Sequence, residues 1–565
     1  MSLFSEILAR RMRLPRAQTL DVVCERDLAA EMDDGAVLLA DRWVARDLTA
    51  VAQPTVLVRS PYGRRQVVGL LLGRLLAERG LQVIVQSVRG TFGSGGAFSP
   101  FDERADGLAT LRWLRRQPWH AGPIGTLGPS YLGFVQWALA AEAGDDLAAM
   151  SIHVSASQFH GQTYAGASVS LENVASWMVV LAGQERRLGP LTIGRALRRL
   201  PALLTELPLS DLDERSTGAA VDWYREALAT PRATDPYWVR RDFSATVGDV
   251  TAAVQFVGGW YDILLPWMLD DFQALQAAGR RPQMLIGPWS HTDPGLIGAA
   301  EREGLGWLRA HLLGDDRLVR SSPVRVMVTG ERSRGGWRDL EAWPPPGTGE
   351  RRLYLSGGFG LGSSPPAGSP QPGDRYRYDP ADPTPSLGGP VLLSRQPVLD
   401  NAPLESRSDV LVYTGPELSE TVEAIGPVRV ELWVRADAPS FDLFARTCDV
   451  DEAGVSRNVC DALTTVAEPW HSCGEDGAWR VAFRLWPMAH RFAAGHRIRL
   501  QVSSGAFPRY SRNPDTGADP VTADAAAMRP VEVEVLHDGA HPSALVLPAA
   551  SEVWAEPDFR AGERR

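Results

Sequence analysis

The chain has 565 residues, 44% hydrophobic and 22% charged, which is the balance of a folded globular protein and excludes wholesale disorder. A formal charge of −10 makes it a poor ligand for nucleic acid or anionic membranes. At ~150 residues per domain the length suits three or four domains, and 54 glycines, 42 prolines and 18 tryptophans favour strands and loops over a helical bundle.

Near the N-terminus, Arg10, Arg11 and Arg13 interrupt the apolar pattern, so no signal-peptide core forms. The longest apolar stretch, Val67–Leu76, contains Arg74 and falls short of the ~20 residues that span a bilayer. A cytoplasmic protein is expected. Ala36–Trp43, Thr55–Val58, Gln82–Gln86, Ile124–Leu127 and Ala148–Val154 read as strands, with helices over Phe101–Arg116 and Leu132–Ala141. That alternation predicts a mostly parallel sheet covered by helices on both faces. From residue 157 to 241 the β pattern gives way to helical periodicity at Trp177–Leu181, Ile193–Leu204 and Val221–Leu228, as expected of an inserted cap. Strands resume at Ala253–Val257 and Gln283–Ile286, followed by a helix at Gly304–Leu313. Beyond Gly/Pro/Ser-rich Ser356–Pro372 come Val410–Tyr413, Val428–Val434, Leu443–Asp449, Trp479–Leu485, Ile498–Ser503 and Val531–Leu536, spaced strands without helices, as in a jelly roll. The expected organisation is an α/β catalytic domain (1–156 and 242–335), a helical cap (157–241) and a jelly-roll domain (336–565).

Ile124-Gly-Thr-Leu-Gly128-Pro-Ser130-Tyr-Leu-Gly133 lies between a strand and a helix. A nucleophilic serine needs such a tight turn to lift its Oγ clear of the sheet. The common pattern is G-x-S-x-G, whereas here the second glycine comes one place later, and a serine that merely caps the helix would also fit. A serine needs a base and the base an orienting acid, which on this fold follow in the order Ser, Asp/Glu, His. Asp262 directly follows the strand run Val254–Val257 and Gly258-Gly-Trp-Tyr, and His291 follows Met284-Leu-Ile-Gly-Pro-Trp-Ser. Both sit at strand carboxyl ends, where ligands gather on such sheets. Ser130, Asp262 and His291 are therefore the expected triad; His120, His153, His160 and His311 read as structural.

Together, Gly128-Pro-Ser-Tyr-Leu-Gly133, Arg59-Ser-Pro-Tyr62-Gly63, Gly258-Gly-Trp-Tyr-Asp262 and Gly287-Pro-Trp-Ser-His291 resemble the cocaine esterase / X-Pro dipeptidyl-peptidase (CocE/NonD) family. Asp409-Val-Leu-Val-Tyr-Thr, Gly426-Pro-Val-Arg-Val-Glu-Leu-Trp-Val and Ala494-Gly-His-Arg-Ile-Arg-Leu resemble its C-terminal jelly roll. The resemblance implies an α/β-hydrolase domain with cap and jelly roll, the displaced glycine of a GxSYxG form, and an oxyanion hole built from the Tyr62 phenol and the backbone N–H of Tyr131. It also places Trp177 in the acyl pocket, with core packing as the alternative. In the family's α-amino-acid ester hydrolases, acidic residues stand two and three places beyond the catalytic aspartate; here those places hold Leu264 and Leu265. Leu264 with Trp177 would line an apolar pocket for a neutral acyl group.

The expected function is thus a serine hydrolase cleaving an ester, or an amide, of a small molecule through an acyl-enzyme. The alternatives are an X-Pro dipeptidyl-peptidase anchoring its amine on Glu172, an acyltransferase or amidase, and a non-catalytic binding protein. No metal or organic cofactor is expected: Cys448, Cys460, His471 and Cys473 match no zinc spacing, and Arg89-Gly-Thr-Phe-Gly-Ser-Gly-Gly96 lacks the Lys-Ser/Thr of a P-loop. No nucleic-acid or membrane partner is expected, and a homodimer is left open.

Overall fold

Between residues 22 and 290 the aliphatic runs are apolar at successive rather than alternate positions, the pattern of strands covered on both faces. The computed structural model describes residues 2–330, 336–367, 371–393, 396–468 and 471–549. Eight strands form the first sheet: β1 (Val22–Glu31), β2 (Val37–Ala45), β3 (Gln53–Ser60), β4 (Gln82–Ser87), β5 (His120–Pro129), β6 (Leu147–His153), β7 (Ala253–Tyr261) and β8 (Gln283–Ser290). Their order is β1-β2-β4-β3-β5-β6-β7-β8, antiparallel as far as β4 and parallel beyond it. β4 is buried at all six positions.

Helices α1 (Arg104–Arg115) and α2 (Tyr131–Ala143) flank β5 in the chain. Between β6 and β7 come α3 (Leu171–Gly183), α4 (Gly189–Leu203), α5 (Leu212–Thr217) and α6 (Asp222–Leu228), and α7 (Leu265–Ala277) and α8 (Pro294–Leu313) follow β7 and β8. Successive residues of β5 reveal both faces of the sheet. A Cβ on Gly125 would lie 2.7 Å from Leu308 of α8, while Thr126 Oγ1 donates to Gln136 of α2 at 2.8 Å. Side chains alternate across a strand, so the two helices cover opposite faces. α8 begins ten residues before its expected start, because Pro294 opens it and Asp293 caps it through a 2.6 Å bond from the Gly295 N–H.

The chain divides into two compact units, the first comprising Met1–Tyr164, Val169–Pro323 and Pro390–Arg395, and the second the remainder. Among its described residues the second unit is built of strands, with only the short helices Ala402–Glu405 and Ala525–Ala527 between them. Val422–Ala436 pairs with Trp479–Phe492 on one side and with Val531–Leu536 and Ala544–Ala549 on the other. A further antiparallel set runs Leu411–Thr414, Arg497–Ser503, Phe441–Val450, Ser456–Val466. Val428, Val430, Leu432 and Val434 recur with the strand period of two and share one core with Leu443, Leu500 and Val502. This is the expected jelly-roll sandwich. Among the described residues, no helix is long and apolar enough to cross a membrane.

Asp271 of α7 is buried and accepts from the Ser157 N–H at 2.8 Å and from its hydroxyl at 2.5 Å, pinning the chain where it leaves the sheet for the helical region. Burial pushes its carboxyl up to about 8, and burial does the same to Glu301 in α8. An acid held above its unfolded value favours the folded state at low pH and withdraws that support as pH rises to its folded value. The contribution of these two acids to the thermal midpoint is therefore expected to fall between about pH 4 and pH 8. Asp271→Asn should flatten that slope in a calorimetric series, and an unchanged slope would exclude Asp271 as its source.

Candidate active site

Pro129 ends β5 and Tyr131 begins α2, so Ser130 alone makes the turn. It does so at φ 55° and ψ −123°, a strained conformation for a residue with a side chain. The turn is held by its backbone. The Ser130 N–H donates to His153 O at 2.8 Å, and its carbonyl accepts from Gly133 N, Phe134 N and Ser155 Oγ. The hydroxyl caps no N–H of α2, which removes the capping explanation for this serine, and the residue lines a cavity. The displaced glycine has a steric cause: a Cβ on Gly133 would lie 2.4 Å from Ser155 Cβ, where the first turn of α2 passes the end of β6. Gly128 is constrained likewise, 2.4 Å from Leu132 Cβ.

Asp262 follows β7 and is fully buried. Its Oδ1 accepts from the Leu264 N–H at 2.8 Å, and its Oδ2 lies 2.5 Å from Nδ1 of His291, the residue after β8. Glycines make this approach possible: a Cβ on Gly259 would meet Trp289 O at 2.2 Å, and one on Gly287 the Trp289 ring at 2.5 Å. With Nδ1–H directed at the carboxylate, the network assigns Nε2 as the free acceptor of the imidazole. Three other histidines of this unit are engaged elsewhere. His153, bonded to Ser151 Oγ, has its pKa pushed down to about 3 by burial; His120 bonds Thr55 Oγ1, and His160 bonds Pro231 O.

Tyr62 lies just beyond β3. Its Oη accepts a hydrogen bond from Trp177 Nε1 at 2.9 Å, which leaves its own proton to be donated. Burial pushes the phenol up to about 12, so it stays protonated at neutral pH. Tyr131 is the first residue of α2, where a backbone N–H has no acceptor within the helix. Its side chain turns inward. The phenol donates to Glu103 Oε1 at 2.6 Å and accepts from the Phe101 N–H at 3.0 Å, and Glu103 pairs with Arg59 at 2.9 Å. This buried network fixes the start of α2, and nothing in the spacing of Arg59, Glu103 and Tyr131 announced it.

Ser130 and Tyr131 open on a narrow cavity of about 40 Å³ walled by Phe101, Phe159, Trp177, Trp223, Trp238 and Ile263. Trp177 is held between Phe101 and Trp223, with ring centroids 5.5 Å and 5.0 Å away. Trp177 thus lines the cavity on which Ser130 opens. Leu264 does not: its backbone N–H is tied to Asp262, its side chain is fully buried, and the neighbouring Ile263 faces the cavity instead. Among the described residues, no acidic side chain lines the cavity; Glu172 on α3 lies outside its walls. Among the described residues, no group of three or more His, Cys, Asp or Glu is arranged to hold a metal ion. Cys448 and Cys460 are buried free thiols.

The family model for X-Pro dipeptidyl-peptidase (S15 family) matches residues 34–293, and that for the X-Pro dipeptidyl-peptidase C-terminal non-catalytic domain matches residues 318–546. A cocaine esterase of Rhodococcus sp. (strain MB1 Bresler) is 29% identical over 544 residues, covering 88% of this chain and 93% of its own. Two solved structures share the fold. An aminopeptidase from a marine-sediment Thaumarchaeota archaeon has a TM-score of 0.78 at 21% identity, covering 95% of this chain and 98% of its own. An α-amino acid ester hydrolase has a TM-score of 0.79 at 20% identity, with the same coverage of both chains.

Proposed function

The chain belongs to the X-Pro dipeptidyl-peptidase (S15, CocE/NonD) family of serine esterases and peptidases, and within it we propose an esterase-like hydrolase with the triad Ser130–His291–Asp262. The observation that carries this reading is the 2.5 Å contact between His291 Nδ1 and Asp262 Oδ2, which leaves Nε2 to take a proton. Ser130 Oγ attacks the acyl carbon as its proton passes to His291 Nε2, and Asp262 stabilises the imidazolium. The tetrahedral oxyanion takes hydrogen bonds from the Tyr62 phenol and the Tyr131 N–H. His291 returns the proton to the leaving alcohol as its bond to the acyl carbon breaks. Water then attacks the acyl-enzyme with His291 again as base, releasing the acid and restoring Ser130.

The aromatic walls and the lack of a lining carboxylate among the described residues support a neutral acyl group, since a buried ammonium left unpaired is costly. A fluorophosphonate should label Ser130, and a neutral aryl ester should exceed an X-Pro-anilide with a free N-terminus in kcat/KM. Failure to label properly folded protein would favour a binding protein on this fold. A preference for the anilide that disappears when its amine is acetylated would instead favour the dipeptidyl-peptidase.

Tyr62→Phe should remove one oxyanion donor and cost about 10²–10³ in kcat. Trp177→Phe keeps the aromatic stack but deletes the N–H that orients Tyr62, so kcat should fall by up to about tenfold. Added to Tyr62→Phe, it should cost little more. Independent losses in the double variant would show that Trp177 does not act through Tyr62.

A further inference from the structure

The cavity is not uniformly apolar. Tyr237, on the short helix Pro236–Val239, lines it at 3% exposure, and among the described residues no hydrogen-bond partner reaches its Oη. Asn173 lines it from α3. Its Oδ1 accepts from the Leu392 N–H at 2.9 Å, which orients the amide and leaves Nδ2 to donate. Gln162, 9% exposed, adds an amide of both polarities. Buried hydroxyls left unpaired are rare in native proteins because their desolvation is not repaid. A cavity needing only to hold hydrocarbon would be better built with phenylalanine at 237.

The chemistry of the missing partner follows from what surrounds it. The Tyr237 phenol is pushed up to about 12 by burial, so it stays a neutral donor at neutral pH. Arg241 stacks on its ring at 3.9 Å, but the guanidinium spends its hydrogen bonds on Pro100 O, Tyr237 O and Ser99 Oγ. Among the described residues, no cationic side chain and no carboxylate lines the cavity. Two fixed donors in a neutral aromatic enclosure match an uncharged acceptor oxygen.

We propose that Tyr237, Asn173 and Gln162 form a polar anchor that selects acyl groups bearing a neutral acceptor oxygen, as an ether, ketone or amide carbonyl, away from the reacting carbon. This rests on reading Ser130 as the nucleophile and the cavity as its acyl site. Such an anchor discriminates more sharply than an apolar wall, because a hydrocarbon isostere leaves the donors buried and unsatisfied.

Paired p-nitrophenyl esters test it: meta-methoxybenzoyl against meta-ethylbenzoyl, para-methoxybenzoyl against para-ethylbenzoyl, and methoxyacetyl against butanoyl. Each ratio is corrected for the esters' rates of alkaline hydrolysis. In at least one pair the oxygen-bearing ester should be preferred about 5- to 100-fold in kcat/KM. Tyr237→Phe should collapse that ratio, lowering kcat/KM for the methoxy ester and raising it for the alkyl one. Gln162→Met, similar in volume, should shrink the ratio in the same direction, and fluorophosphonate labelling of Ser130 identifies the folded fraction of each variant. Alkyl esters preferred in every pair, by enzyme that labels and turns over esters, would overturn the anchor alone. An enzyme that neither labels at Ser130 nor turns over any ester would overturn the acyl-site reading beneath it as well.

Discussion

Replacing Ser130 by alanine should abolish turnover, with a loss on the order of 10⁶-fold in kcat, while the thermal midpoint moves by no more than about 3 °C. The two halves of this expectation have separate causes. The turn is held by the backbone bonds from Ser130 N to His153 O and from Gly133 N and Ser155 Oγ to Ser130 O, all of which alanine preserves. The hydroxyl contributes no cap to α2, so its removal costs the fold little. The positive φ strains alanine no more than serine. Activity and stability should therefore separate cleanly in a paired kinetic and calorimetric measurement. Residual activity above a few per cent would reject Ser130 as nucleophile.

Asp262→Asn should cost about 10⁴ in kcat with the loop intact. An asparagine oxygen can still accept the Leu264 N–H, so the segment between β7 and α7 keeps its anchor. Its amide NH₂ would then point at His291 Nδ1, which would have to become the acceptor. The imidazole proton moves to Nε2, where it blocks receipt of the serine proton, and the negative charge that steadies the imidazolium is gone. A loss smaller than about tenfold at neutral pH would show that Asp262 only tethers the loop.

The proposed triad could be read from the sequence because its members obey an order and a placement that physics imposes: each follows a strand whose aliphatic run marks the carboxyl edge of a parallel sheet. The strand runs read at Gln82–Gln86 and Ile498–Ser503 were recognisable for the same reason, since burial on one or both faces writes itself into composition. Other strands carried weaker signals. In Ser456–Val466 buried Asn458 and Asp461 break the apolar run, yet they are satisfied inside the unit by Asn401 and by Arg446 and Arg509. The pocket was only half visible. Trp177 could be placed because it sits in a recognisable segment. Leu264 was misassigned because register within a tight turn depends on which backbone N–H the aspartate captures. Tyr237 and Asn173 left no local signal; their role depends on an unpaired hydroxyl and on a backbone amide more than two hundred residues along the chain from Asn173.

That amide belongs to Leu392, within the segment Pro390–Arg395 that joins the first unit although Val324–Gly389 runs in the second. The part of the protein that does the chemistry is therefore not a contiguous stretch of sequence. A chain truncated after Pro323 would keep Ser130, Asp262 and His291, yet it would lack one wall of the cavity and the hydrogen bond that orients Asn173. Substitutions near residue 392, outside the region 34–293 matched by the S15 family model, would change the cavity lining without touching Ser130, Asp262 or His291. Libraries aimed at changing substrate choice should include that stretch, and minimal versions of the enzyme should not be cut at the apparent domain border.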